Sequence, residues 1–335
     1  MAGRRTNLAL LGLLAVSLAT GTLAFGVGTA WGRWVAVAHG AAGLALLVLG
    51  RPKSAVVRRG LRRRRAGRGA SIALGVLVVT TVLSGLAHSA GLRSLGAGVT
   101  AMQFHVGTAL GAIPLAVWHV VARPARPRRT DLSRRTALRA GGVLGAGAAV
   151  WLAAEGSVRA AGLPGAGRRF TGSYEAGSGR PSQMPVTQWL GDRVQDVDPA
   201  AWRLTVTDAS GARTLSLDDL ARHADRVRAV LDCTGGWYAE QDWTGVRLDR
   251  LIGDVGDARS VVVTSATGYA RRFPVRDLSR LVLATAVGGA PLTRGHGYPL
   301  RLVAAGRRGF WWVKWVTDVR VDAAPWWAQP PFPLQ

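Results

Sequence analysis

One cysteine stands in 335 residues, Cys233 in "VLDCTGGWY". It closes an apolar run and precedes Thr234, Gly235 and Gly236. A lone thiol can form no internal disulfide, so its chemistry is packing, nucleophilic attack or metal ligation. The two glycines allow a sharp turn beside a bulky neighbour. No Cys or His cluster at zinc spacing accompanies it. A metal bound by this soft sulfur would therefore arrive already chelated.

The second set of chemistry-bearing residues is histidine. Four of the six, His39, His88, His105 and His119, fall within or at the ends of apolar runs, where ionisable side chains are costly and functional. Two imidazoles from neighbouring helices can clamp a haem iron axially. His39 and His105 fall at similar depth for such a b haem, with His88 as substitute ligand. His119 has no partner at its own depth.

These histidines imply helices to carry them. Apolar runs near 8–30, 33–50, 70–90 and 100–122 approach the ~20 residues that cross a bilayer. A shorter fifth, 140–154, is rich in Gly and Ala. The net charge of +24 comes from 43 Lys and Arg against 19 Asp and Glu. Its basic clusters at Arg4 and Arg5, 51–68 and 123–139 flank apolar segments, which fits cytoplasmic loops and argues against a nucleic-acid partner. "DLSRRTALRAGGVLGAGAAVWLAA", with Ser133-Arg134-Arg135, resembles a twin-arginine export signal. Whether it is such a signal or a plain stop-transfer helix, it puts the remainder of the chain outside: a multi-pass cell-membrane protein with an extracytoplasmic C-terminal domain.

Past residue 160 the pattern changes. Residues 161–182 read as linker. "AAWRLTVTD", "RVRAVLDC", "SVVVTSATGYARRFPV", "YPLRLVAAG" and "FWWVKWVTDVRV" read as strands, and "GVRLDRLIGDVG" as a helix. The expected organisation is 1–125 a four-helix transmembrane domain, 126–160 the twin-arginine-like segment and fifth helix, and 183–335 an α+β, mostly β, domain.

Within that domain "LDCTGGW", "TSATGY" and "APLTRGHGYPLRLV…GFWWVKWV" resemble, over about 183–322, the molybdopterin-binding domain of sulfite oxidases, assimilatory nitrate reductases and periplasmic methionine sulfoxide reductases. The resemblance implies that Cys233 ligates molybdenum. It implies further that Thr234, His296, Arg301, Val313 and Lys314 hold the cofactor, and that Tyr269 faces the reaction. Lys314 is one of only two lysines in an arginine-rich chain, which suits a compact charge against a phosphate. Ala266 replaces an acid frequent in the family beside Tyr269, which weakens the case for that contact, and "LATAVGG" lacks the usual tyrosine and glutamate, which makes sulfite a less secure substrate. The family's β-sandwich dimer domain is not expected after the last motif. Trp311, Trp312, Trp315, Trp326 and Trp327 are expected to pack under the sheet or cover the entrance. The expected function is oxygen-atom transfer on a small oxo compound at Mo-molybdopterin, with electrons passing through a b haem to quinone or another redox protein. The alternatives are a cytochrome b-like carrier with a silent pterin domain and a haem-free anchored binding module.

Overall fold

The computed structural model describes residues 2–50, 54, 67–96, 99–125, 128–188 and 192–330. Most of the basic run 51–68, Lys53 included, lies outside the described residues. The chain divides into two compact units, 1–25 with 30–174, and 26–29 with 175–335.

The first unit is helical: α1 (Ala2–Gly26), α2 (Gly32–Val48), α3 (Arg68–Ala90), α4 (Ala101–Ala122) and α5 (Arg134–Ala160). Among the described residues, four stretches are long and apolar enough to cross a membrane, Arg4–Gly26, Arg68–Ala90, Ala101–Ala122 and Arg134–Ala160. At ~1.5 Å per residue, 23 residues reach about 34 Å, a hydrocarbon thickness. The roles of α2 and α5 invert the expectation: α2 has 17 residues and α5 has 27. The Ser133 side chain accepts the Thr136 amide at 3.4 Å and caps α5, drawing Arg134 and Arg135 into its first turn. α1 also begins earlier than expected, because Arg4 makes a bidentate pair with Asp131 at 2.6 and 2.8 Å. Thr100 and Gln103 form a reciprocal cap that starts α4. The expected linker carries structure: a helical turn at Pro164–Gly167 and β1 (Tyr174–Glu175), so the second unit begins before residue 183.

The second unit holds two sheets. In the first, β1, β5 (Trp237–Arg247), β8 (Leu281–Val287) and β10 (Arg301–Ala304) lie in that order; β4 (Asp225–Cys233) also pairs with β5, and β9 (Ala290–Pro291) with β8. The second sheet runs β3 (Gly211–Leu215), β2 (Leu204–Asp208), β11 (Val316–Asp322), β6 (Ser260–Ser265), β7 (Ala270–Pro274). Alternation in "LTVTD" buries Leu204, Val206 and Asp208 on one face of β2. α6 (Leu217–Ala221), capped by Ser216, and α7 (Leu248–Leu251) are single turns. Two expectations fail here. The "GVRL" half of the predicted helix continues β5, since Gly245–Arg247 pair with β8 and a Cβ at Gly245 would stand 2.0 Å from the Leu283 oxygen. The "FWWVKW" half of the last predicted strand is irregular: a turn at Gly309–Trp311 and a left-handed Trp315 (φ 50°) precede β11.

Candidate active site

The register of β4 against β5 pairs Cys233 with Trp237, so Thr234, Gly235 and Gly236 form a three-residue hairpin loop. Gly236 takes φ 93° there. The loop folds the Gly235 amide back onto Cys233 Sγ at 3.3 Å. Gly309 lets the next segment pass close, since a Cβ on it would be 3.1 Å from Cys233 Cα. Cys233 is 8% exposed and lines a cavity. That cavity offers ≈100 Å³ to the centres of water molecules and ≈730 Å³ of empty space with its open mouth included. The larger figure lies in the range of small-molecule sites, so a tricyclic ligand there needs the open mouth as well as the enclosed part.

His296, Arg301 and Lys314 share its wall. Gly297 brings them together: at φ 104° it sits where a Cβ would be 3.0 Å from Arg301 Cβ and 3.1 Å from Lys314 Cβ. His296 Nε2 donates to the Met184 carbonyl at 3.1 Å, so in the neutral ring Nδ1 accepts from Thr293 Oγ1 at 2.8 Å. Burial, then the charges of Arg301 and Lys314, pull His296 down to about 4 and keep it neutral. Arg301 is 1% exposed and donates to the His296 carbonyl at 2.9 Å. Its guanidinium lies 5.0 Å from the Trp243 ring and 5.6 Å from Trp312, and burial pulls it to about 9. Lys314 Nζ donates to the carbonyls of Gly295 (2.7 Å) and Thr187 (2.9 Å) and to Gln188 Oε1 (3.1 Å). Burial and the Arg301 charge bring Lys314 to about 7. Burial also pushes the Cys233 thiol up, against the Gly235 amide, Thr187, Arg308 and Lys314.

Two buried donors at this wall, Arg301 Nε and Gln188 Nε2, have no hydrogen-bond partner among the described residues. Unmet donors beside two basic groups and a soft sulfur are what an anionic, metal-bearing pterin would satisfy. The donor set therefore fits Mo-molybdopterin.

Other expected residues are placed differently. Thr234 lines the cavity. Tyr269 lines it too, but its hydroxyl donates to the Phe310 carbonyl and burial raises it further from ionisation, so the phenol is committed to holding that segment. Val313 is buried at 1% exposure and does not line the cavity; its carbonyl accepts the Leu302 amide at 2.7 Å. Trp312 and Trp315 line the cavity, Trp311 packs against Phe273 and Trp327 is 66% exposed. Sequence reasoning missed Pro185, Thr187, Gln188 and Asp192, which line the site; they carry no motif, and bonds from His296, Lys314 and Trp237 hold residues 184–188 there. It also missed Arg308, 3% exposed, which donates to the Cys233 carbonyl at 3.1 Å and faces Asp232 at 3.7 Å. Nothing in an arginine-rich sequence singles that residue out.

In the helical unit the structure brings His39 and His105 together, with ring centroids 5.9 Å apart. His88 goes elsewhere: its Nε2 lies 2.7 Å from the Gly172 carbonyl, which withdraws it from that pair. His119 Nδ1 lies 3.3 Å from Ser71 Oγ.

Comparison with known proteins bears on the C-terminal unit. Mitochondrial sulfite oxidase of Mus musculus is 28% identical over 167 residues, covering 39% of this chain and 31% of the mouse protein. The Homo sapiens enzyme is 28% identical over 168 residues, covering 38% and 30%. The chain thus spans about a third of the length of these relatives. The sulfane dehydrogenase SoxCD from Paracoccus pantotrophus aligns at 23% identity with a TM-score of 0.37, covering 39% of this chain and 40% of that one. Residues 191–329, which hold Cys233, His296, Arg301 and Lys314, match the family described as oxidoreductase molybdopterin binding domain. The C-terminal unit of this chain carries a molybdopterin-binding oxidoreductase domain.

Proposed function

We propose that this protein is a membrane-anchored, extracytoplasmic molybdenum oxidoreductase that moves an oxygen atom to or from a small molecule. In this reading it exchanges electrons with quinone or another redox protein through a b haem between His39 and His105. The observation that carries it is the placing of the sole thiol in one cavity with Arg301, Lys314 and two unmet buried donors. Bound molybdenum supplies the two-electron change that accompanies gain or loss of an oxygen atom. Cys233 Sγ would hold the metal, its electron density drawn by the Gly235 N–H. Arg301 and Lys314 would hold the cofactor's anionic end, and an anion there restores the charge that burial costs Lys314. Neutral His296 would stay a donor at Nε2. Lys314 reaches Thr187 and Gln188 directly, so cofactor entry and the 184–188 segment are coupled. Oxo compounds without charge suit the wall around Trp237, Phe310 and Asp192 better than sulfite does. The long apolar helices, the basic flanks and Ser133-Arg134-Arg135 at the start of α5 support the membrane anchor and the outside location.

Metal analysis of the purified full chain, made in a host competent for molybdopterin, tests this. Molybdenum near one per chain, lost with turnover of sulfoxides or N-oxides in Cys233→Ser, is expected. A molybdenum-free protein would leave the carrier or binding-module alternatives standing.

A further inference from the structure

The helical unit builds the same small device twice. On α2, His39 Nδ1 lies 3.0 Å from the Ser17 carbonyl of α1, and Thr20 Oγ1, which donates to the Val16 carbonyl at 2.7 Å, stands 3.2 Å from that same Ser17 carbonyl and 3.3 Å from Nδ1. On α4, His105 Nδ1 lies 2.7 Å from the Thr81 carbonyl of α3, and Ser84 Oγ donates to that same carbonyl at 2.9 Å. The next residue is glycine in both cases. A Cβ on Gly21 would stand 3.0 Å from His39 Cε1, and a Cβ on Gly85 would stand 3.0 Å from His105 Cε1 and Nδ1. The first helix of each hairpin thus reads [Ser/Thr]-x-x-[Ser/Thr]-Gly, in "SLATG" and "TVLSG", and the histidine follows the carbonyl residue by 22 and 24 positions.

The chemistry of one socket repeats in the other. A carbonyl only accepts, so each Nδ1 carries the proton and each neutral ring keeps its lone pair on Nε2. Such a fixed second nitrogen is how metal-binding imidazoles are oriented. The ring centroids are 5.9 Å apart with planes at 90°. Two axial imidazoles on one iron, each with a metal–nitrogen bond of about 2 Å, place their centroids roughly 6 Å apart. The residues fit the group. Glycine is less favourable than alanine inside a helix, and at both sockets the imidazole edge occupies the space a methyl group would need.

We infer that Gly21 and Gly85 are the positioning residues of two duplicated imidazole sockets, which together present His39 and His105 to a single haem iron. This rests on the haem reading above, and the experiment separates the two. The full chain purified in detergent is read by its reduced-minus-oxidised spectrum, haem-to-protein ratio and low-spin paramagnetic resonance signal. Wild type should show one b-type haem, lost in His39→Ala and His105→Ala. Gly21→Ala and Gly85→Ala should each shift the low-spin signal or lower haem content at least twofold. Gly12→Ala in α1 and Gly75→Ala in α3, where a Cβ meets nothing within 4 Å, should match wild type. If a socket glycine variant does not accumulate, Thr20→Val and Ser84→Ala, which remove the hydroxyl sharing each carbonyl, should shift the signal instead. Absence of b haem from wild type overturns the haem reading. Haem present, with socket variants identical to the controls, overturns this inference alone.

Discussion

Cys233 offers an unusually clean titration, because no other thiol in the chain competes for a reagent. An ordinary thiol near 9.0 is ~1% thiolate at pH 7, and each unit of upward shift removes a further factor of about ten. At 8% exposure burial dominates Cys233 and raises it. Two nearby cations oppose this, Arg308 and then Lys314, and Lys314, at about 7, has lost its charge in the range where the thiol would ionise. Two effects are expected for cofactor-free protein from a host that cannot make molybdopterin. Alkylation at pH 7 should run at least about ten-fold slower than for a small free thiol, and the rate should still be climbing at pH 9. Lys314→Met should slow the reaction only below about pH 7, where the wild-type ammonium favours the thiolate. Protein loaded with cofactor should not react at all, its sulfur being bonded. A rate plateau reached below pH 9 in the cofactor-free protein would refute the burial argument. Equal reactivity of loaded and empty protein would refute the ligand role.

Three further outcomes are expected. His296, near 4 against an ordinary 6.5, contributes stability that is present above 6.5 and lost as pH falls through about 4. Lys314 contributes likewise above 10.5 and loses it as pH falls through about 7, so Tm of cofactor-free protein should drop in both windows and Lys314→Met should flatten the upper one. Arg308→Met leaves Asp232 as a buried carboxylate at 2% exposure, and should cost about 3–5 kcal/mol in denaturant unfolding followed by hydrogen exchange of β4. Trp243→Ala empties a fully buried position under the Arg301 guanidinium and beside Trp312, and should cost about 3–5 kcal/mol by the same measure, with a lower molybdenum content.

The sequence by itself determined the division of the chain into apolar helices and a strand-rich domain, because hydrophobic run length and alternation are local properties. Short motifs with fixed spacing marked Cys233, His296, Arg301 and Lys314, which share one cavity, and their cost at apolar positions marked His39 and His105, whose rings lie 5.9 Å apart. Tertiary structure alone decided the rest. Residues 184–188 and 192 join the cavity, and Arg308 backs the Cys233 carbonyl, through contacts distant in sequence that no local pattern encodes. "FWWVKW" reads as a strand until Trp315 takes a left-handed conformation and the chain turns. Tyr269 lines the cavity, but only the fold shows its hydroxyl bound to the Phe310 carbonyl and Val313 buried behind the wall. The twin sockets of Gly21 and Gly85 combine both levels. Their residues are written in the two hairpins, but a glycine's purpose shows only when the neighbouring imidazole edge occupies the space a methyl group would need.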